Sequence, residues 1–295
     1  PPAPRAVAPQ LAAAIPLEAP RTQPPTVSLD DVEVEVRYVL HRLGACKGEE
    51  IVVDRSPSGA VRVKGVVDTP ARRLELRTAL AEQASVDLDL RTVEELAAAV
   101  PTQDVSTAAT PSFSVRGRTV PIEEELKRYF ASPAESDGGL AASVRFSNRA
   151  LATSQAMMTE AWALRRLAEG YGSRSGRLLR PFSLSLLTQM AADHERQLAL
   201  HAEAMRHQTA PALAAIFGLS GGPAASRSAG EWSERAMEEF TIVRRVAALA
   251  RSLFSASAGD DVPRHAAARE LLDRLQEIPT FAAERLPDAA AQEKR

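Results

Sequence analysis

The spacing of apolar residues changes period several times between positions 29 and 98. Leu29, Val32, Val36, Val39, Leu40 and Leu43 recur every three or four residues, which lines one face of a helix. Ser28 and Asp30 offer side-chain oxygens at its start, and Gly44 offers a stop. The alternation Val32-Glu33-Val34-Glu35-Val36 also fits a strand, so two readings compete here. Residues 51–54 read as a short strand and Ser56-Pro57-Ser58-Gly59 as a turn. Residues 60–67, with Val61, Val63 and Gly65 alternating against Arg62 and Lys64, then read as the second strand of a hairpin. Pro70 opens a helix with Leu74, Leu76, Leu80 and Ala81 spaced for burial. Val86, Leu88 and Leu90 alternate with Asp87, Asp89 and Arg91, a third strand with one wet face. The pattern predicts an α-β-β-α-β module over 29–98.

From residue 140 to 280 the period is helical throughout. A first helix is expected from Leu140 to about Glu169, stopped by Gly170, Gly172 and Gly176. A second opens at Pro181 and runs to at least His207, reaching Phe217 if it passes Pro211. A third follows Ser228, which has capping-box spacing to Glu231, and carries Trp232, Ala236, Phe240, Val243, Ala247, Ala250 and Phe254 down one face. A fourth spans about 263–278 with Leu271, Leu272 and Leu275. Four amphipathic helices with short connections predict a bundle. Residues 99–139 read as a linker, with Pro101, Pro111, Pro121 and Pro133 and a Gly138-Gly139 end. Its one short helix runs from Pro121 to Phe130, and Glu123, Glu124 and Glu125 suit the positive end of that helix dipole. Residues 1–28 are a Pro-rich tether and 281–295 a frayed tail. The expected fold class is an α+β N-terminal module plus an all-α helical bundle, mostly α overall. The linker predicts that the two parts fold independently.

Composition narrows the function classes. The 295 residues are 45% hydrophobic and 25% charged, as in ordinary globular chains, and the net charge of −2 offers no general attraction for nucleic acid. Lysines occur only at Lys47, Lys64, Lys127 and Lys294, so arginine dominates the basic residues. One cysteine, Cys46, excludes an internal disulfide framework and leads us to expect no cysteine-based zinc site. No apolar run approaches the roughly 18–20 residues that span a bilayer, and no signal peptide is readable. The chain begins at Pro1 rather than Met, which leads us to expect a longer protein with a membrane anchor upstream.

The order helix, strand, turn at Gly59, strand Val61-Arg62-Val63-Lys64-Gly65-Val66-Val67, helix from Pro70 and final strand resembles the BON domain over about residues 29–93. In that family a glycine follows the second strand's apolar pair, and Gly65 occupies the matching place. The final strand departs from the pattern, because Ser85-Val86-Asp87-Leu88 lacks the glycine that commonly precedes it. The resemblance implies a cell-envelope protein that contacts phospholipid headgroups or another envelope protein, with no catalytic residues and no cofactor.

Candidate chemistry is sparse. Gly172-Ser173-Arg174-Ser175-Gly176 has Arg rather than Ser at its centre and follows a helix, so it is not a nucleophile elbow. Arg165, Arg166, Arg174, Arg177 and Arg180 gather around that turn and form the most basic spot in the chain, a candidate contact for a polyanion or headgroup. His194 and His201 are seven residues apart, about 10 Å along a helix, too far to share a metal unaided. If the first two bundle helices turn back with Ala168 opposite Pro181, His194 faces Gln155 and His201 faces Asn148, with Ser154 and Ser147 adjacent. Such a seam is a structural register device, with no metal. Cys46, beside Lys47 in a loop, is expected to face solvent. The function expected from all this is non-enzymatic binding or signal relay in the periplasm or cell envelope. A cytoplasmic adaptor whose bundle grips a partner helix is the alternative.

Overall fold

A computed structural model describes residues 28–57, 59–83, 86–99, 120–131, 137–172, 178–219, 231–256 and 263–279. Helix α1 (Leu29–Arg42) precedes strands β1 (Glu50–Arg55) and β2 (Val61–Val67), helix α2 (Pro70–Leu80), strand β3 (Val86–Thr92) and a short helix α3 (Val93–Ala99). Helices α4 (Glu123–Phe130), α5 (Leu140–Tyr171), α6 (Pro181–Phe217), α7 (Trp232–Phe254) and α8 (Arg264–Glu277) follow. The α+β module and the mostly helical remainder are both present. Among the described residues, no helix is long and apolar enough to cross a membrane.

Local chemistry decides α1 in favour of the helix. The Asp31 backbone N–H donates to the Ser28 hydroxyl at 3.1 Å, while the Asp31 carboxylate accepts from the Ser28 hydroxyl at 2.7 Å and from its backbone N–H. This reciprocal capping box satisfies donors that a helix start leaves open. The alternating valines do not mark a strand; they serve a helix buried on two sides. Val36 and Leu40 pack with the sheet, joined by Leu29, Val32, Val39 and Leu43. Val34 belongs instead to the core of the bundle, with Tyr38 packed against it.

In the sheet, β2 is central, antiparallel to β1 and parallel to β3. Gly65 lies opposite Ile51, and a Cβ there would come within 2.3 Å of the Glu50 carbonyl oxygen. The glycine therefore permits a strand approach that no other residue allows. Gly59 adopts a φ of +81° in the turn before β2. Ile51, Val53, Val61, Val63, Val67, Leu76, Leu80 and Leu90 form the module's core.

In the bundle, α5 packs against α6 on one side and α7 on the other, and α8 closes the ring by contacting both of those. Helix α5 runs antiparallel to both neighbours: Phe146 meets Phe254 and Trp162 meets Phe240 on α7, and the Gln208 side chain of α6 donates to the Phe146 carbonyl. Helix α6 passes through Pro211 without ending. The short helix α4 is part of this core, because Ile122 and Leu126 are fully buried in it and Phe130 stacks near Phe146. A Cβ at Gly139 would lie 2.6 Å from the Lys127 carbonyl oxygen, so this glycine lets the chain pass α4 closely before α5 begins.

Several expectations change. The two parts share α1, and the seam between α1 and α6 is continuous with both cores. Residues 93–99 form a helix that the sequence reading missed. Residue Glu231 itself occupies the N-cap position of α7. The tether up to residue 27, linker residues 100–119 and 132–136, residues 173–177, Ser228 and the tail from 280 lie outside the described residues.

Candidate functional site

One line of α1 faces the bundle: Asp31, Val34, Tyr38 and His41, spaced three, four and three residues apart. At its start, the Arg180 backbone N–H donates to Asp31 Oδ1 at 2.9 Å, and the Arg180 guanidinium pairs with Asp31 and with Glu35. One turn further, Arg37 donates to Glu33, to the Val53 carbonyl of β1 and to the Tyr171 hydroxyl at the end of α5. Burial pushes the Tyr171 phenol well above its ordinary pKa, so it stays a neutral partner. Tyr38 then reaches Gln189 of α6 at 3.2 Å.

The line ends in a cluster of ionisable side chains. His41 Nδ1 lies 3.2 Å from His194 Nε2 of α6, and the Cys46 Sγ is 3.6 Å from the first and 3.7 Å from the second. His194 is 2% exposed, and its Nδ1 sits 2.6 Å from Glu160 Oε2 of α5. The other Glu160 oxygen pairs with Lys47 at 2.7 Å. His41 Nε2 lies 3.3 Å from Asp193 Oδ2, and Arg196 also contacts Asp193. Burial raises the Glu160 pKa, but hydrogen bonds from His194 and Lys47 outweigh it, so the carboxylate is held ionised. Burial and the neighbouring His194 lower His41, with Asp193 opposing. Burial also raises the Cys46 thiol to about 11, more than Lys47 lowers it, so the free thiol is protonated at neutral pH.

These positions correct the expected seam. Glu160, not Gln155, is level with His194, five residues along α5 or about 7.5 Å. Gln155 and Asn148 are exposed, and the same shift moves His201, half-buried, away from Asn148. The cause lies at the end of α5. The helix passes Gly170 to Tyr171, a buried anchor for Arg37, and stops at Gly172, whose N–H donates to the Ala168 carbonyl. Helix α5 therefore ends two residues beyond Glu169, and the register shifts in that direction. Cys46 is half-buried between two imidazoles and does not face solvent.

Two of the three described arginines of the basic cluster are spent on internal contacts. Arg165 lies between the Trp162 and Phe240 rings and pairs with Glu169, and Arg180 is taken by Asp31 and Glu35. Arg166 is exposed at the edge of a cavity beside the histidine cluster. Arg174 and Arg177 lie outside the described residues. Sequence reasoning missed His41 and Glu160 as partners of His194, and with them Asp193 beside His41 and Lys47 beside Glu160. The only signal for His41 was its place on the second face of α1, three residues beyond Tyr38.

Two imidazoles, a thiol and two flanking carboxylates can act as a proton-sharing network or as ligands for a metal ion. Burial keeps the Cys46 thiol protonated, which lowers its reactivity as a nucleophile. No family model matches the chain, and no curated protein or solved structure matches it either.

Proposed function

We propose that the protein is a non-enzymatic binding and relay protein of the bacterial cell envelope, in which a BON-like module passes its state to a helical bundle. The observation that supports the relay is α1, which buries one face in each core. A displacement of the sheet moves α1, and α1 cannot move without breaking directional contacts to α5 and α6. The envelope setting comes from the resemblance of residues 29–93. A protein partner fits the module better than a lipid surface does, because its basic strand residues face carboxylates: Arg62 and Lys64 both pair with Asp54, and the charges of Asp87 and Asp89 also act on Arg62.

A fusion of the full gene to alkaline phosphatase, which is active only after export, tests the location. Activity in intact cells is the expected result; an inactive fusion favours the cytoplasmic adaptor. Co-sedimentation of the full chain with anionic and zwitterionic vesicles tests the choice of partner. We expect no binding to either, and salt-sensitive binding to anionic vesicles alone makes headgroups the ligand.

A further inference from the structure

We propose that His41 Nδ1, Cys46 Sγ and His194 Nε2 are three ligands of one divalent transition-metal ion, zinc by preference, which clamps α1 of the module to α6 of the bundle. The three atoms form a triangle with edges of 3.2, 3.6 and 3.7 Å. Tetrahedral zinc with bonds of about 2.0–2.1 Å to nitrogen and about 2.3 Å to sulfur requires an N···N edge of about 3.3 Å and N···S edges of about 3.6 Å. The observed triangle is close to that on all three sides.

Proton placement points the same way. Glu160 Oε2 stands 2.6 Å from His194 Nδ1 and Asp193 Oδ2 stands 3.3 Å from His41 Nε2, so each carboxylate oxygen can accept the proton of the outward ring nitrogen. The remaining ring nitrogens, Nδ1 of His41 and Nε2 of His194, then face each other with bare lone pairs. With the Cys46 sulfur within 3.7 Å of both nitrogens, the three donor atoms lie close enough to share one cation. Each histidine also carries the carboxylate partner that orients imidazole ligands around metals. One thiolate with two imidazoles is a borderline-soft donor set that suits zinc and not calcium or magnesium. Binding is balanced by the loss of one proton: the Cys46 S–H bond breaks, the sulfur–metal bond forms, and the proton leaves to solvent.

A cavity of about 50 Å³ adjoins the cluster, lined also by Arg37, Leu40, Arg166 and Met190. It has room for water, or a small anion beside the two guanidiniums, as the fourth ligand. The site does not depend on the envelope reading. It would exist equally in a cytoplasmic adaptor, and it adds a condition under which the module and bundle stay docked.

The test uses the full chain, stripped with chelator and titrated with Zn²⁺ or Co²⁺. One equivalent of zinc per chain is expected, with a higher melting temperature, since the ion binds only the docked form. The Co²⁺ adduct should show tetrahedral ligand-field bands and a thiolate-to-cobalt charge-transfer band. Cys46→Ser should abolish that charge-transfer band. Glu160→Gln should weaken zinc binding by about 10- to 100-fold, while His207→Ala, at a side chain 80% exposed, should change nothing. An octahedral cobalt spectrum without the charge-transfer band, or no zinc retained by the wild-type chain, overturns the proposal. So does a Cys46 alkylation rate that zinc leaves unchanged. The wild-type spectrum and alkylation rate decide the matter even if a variant does not fold.

Discussion

The α5–α7 and α1–α6 interfaces are built from different materials. Between α5 and α7 the contacts are rings and aliphatic side chains: Trp162 on Phe240, Phe146 on Phe254, with Leu164, Val243, Val246 and Ala250 fully buried. Between α1 and α6 the directional contacts are Asp31 with Arg180, Tyr38 with Gln189, and His41 with Asp193 and His194, set around one buried aliphatic side chain of α1, Val34. Apolar burial is non-directional and scales with area, so the first interface supplies stability and tolerates small shifts. A polar contact holds only in its own geometry, and a buried partner left alone is costly. The second interface therefore fixes where the module docks while adding less to the total.

Breaking the apolar side should have the largest effect. Leu164→Ala leaves a cavity in the bundle core and should cost about 2–5 kcal/mol by denaturant unfolding of the full chain. Asp31→Ala removes both the α1 capping box and the partner of Arg180, and about 2–3 kcal/mol should be lost. Hydrogen exchange distinguishes the two interfaces in this variant: amides of α1 and the sheet should exchange faster while those of α5 and α7 stay protected. Equal loss of protection in α5 and α7 would mean that the two interfaces are one cooperative unit. Gly65→Val forces the Glu50 carbonyl away and should cost about 1–3 kcal/mol, read as a lower melting temperature; a change of a few tenths would contradict the close approach.

Acid offers a milder probe of the polar seam. Burial raises the Asp31 carboxyl, but the Arg180 backbone N–H, the Ser28 and Ser183 hydroxyls and the Arg180 guanidinium outweigh it and hold the pKa at about 2. Because the folded value is depressed, this stabilisation is complete above about pH 4, the ordinary carboxyl value, and is lost as pH falls through about 2. A loss of order 1–2 kcal/mol is expected across that window, and Asp31→Asn should flatten it. The smallest effect belongs to Tyr38→Phe, whose hydrogen bond is exposed; less than about 0.5 kcal/mol should be seen in the same unfolding assay.

The elements were mostly legible in the sequence because each depends on a local period. Leu29 through Leu43, the Val61–Val67 alternation and the long bundle stripes each match a burial pattern within their own element. The second face of α1 was not legible, since Asp31, Val34, Tyr38 and His41 mix polar and apolar residues and make sense only against α6. For the same reason the histidine cluster was invisible: His41 and Cys46 stand 153 and 148 residues before His194 in the chain. The seam is offset by five residues, and the two by which α5 outruns its expected end at Glu169 trace to a tertiary anchor that the glycines do not show. Tyr171 extends α5 to reach Arg37, and that contact spans 134 residues. Gly65 was singled out through the family resemblance, and in the structure a Cβ there would meet the Glu50 carbonyl oxygen.

The long separation between the two sides of the α1–α6 seam also sets a clock for biosynthesis. Asp31 and its Arg180 partner are 149 residues apart, so a ribosome adding about 5–20 residues per second leaves α1 waiting roughly 7–30 s for the helix that covers it. The sheet side of α1 can close early, on strands and a helix that are all complete by Thr92. Val34 and Tyr38 stay uncovered throughout that interval. The nascent chain thus presents a half-satisfied helix to whatever chaperone or neighbouring chain is nearby, and slowing or speeding translation between α3 and α6 changes how long that vulnerable intermediate lasts.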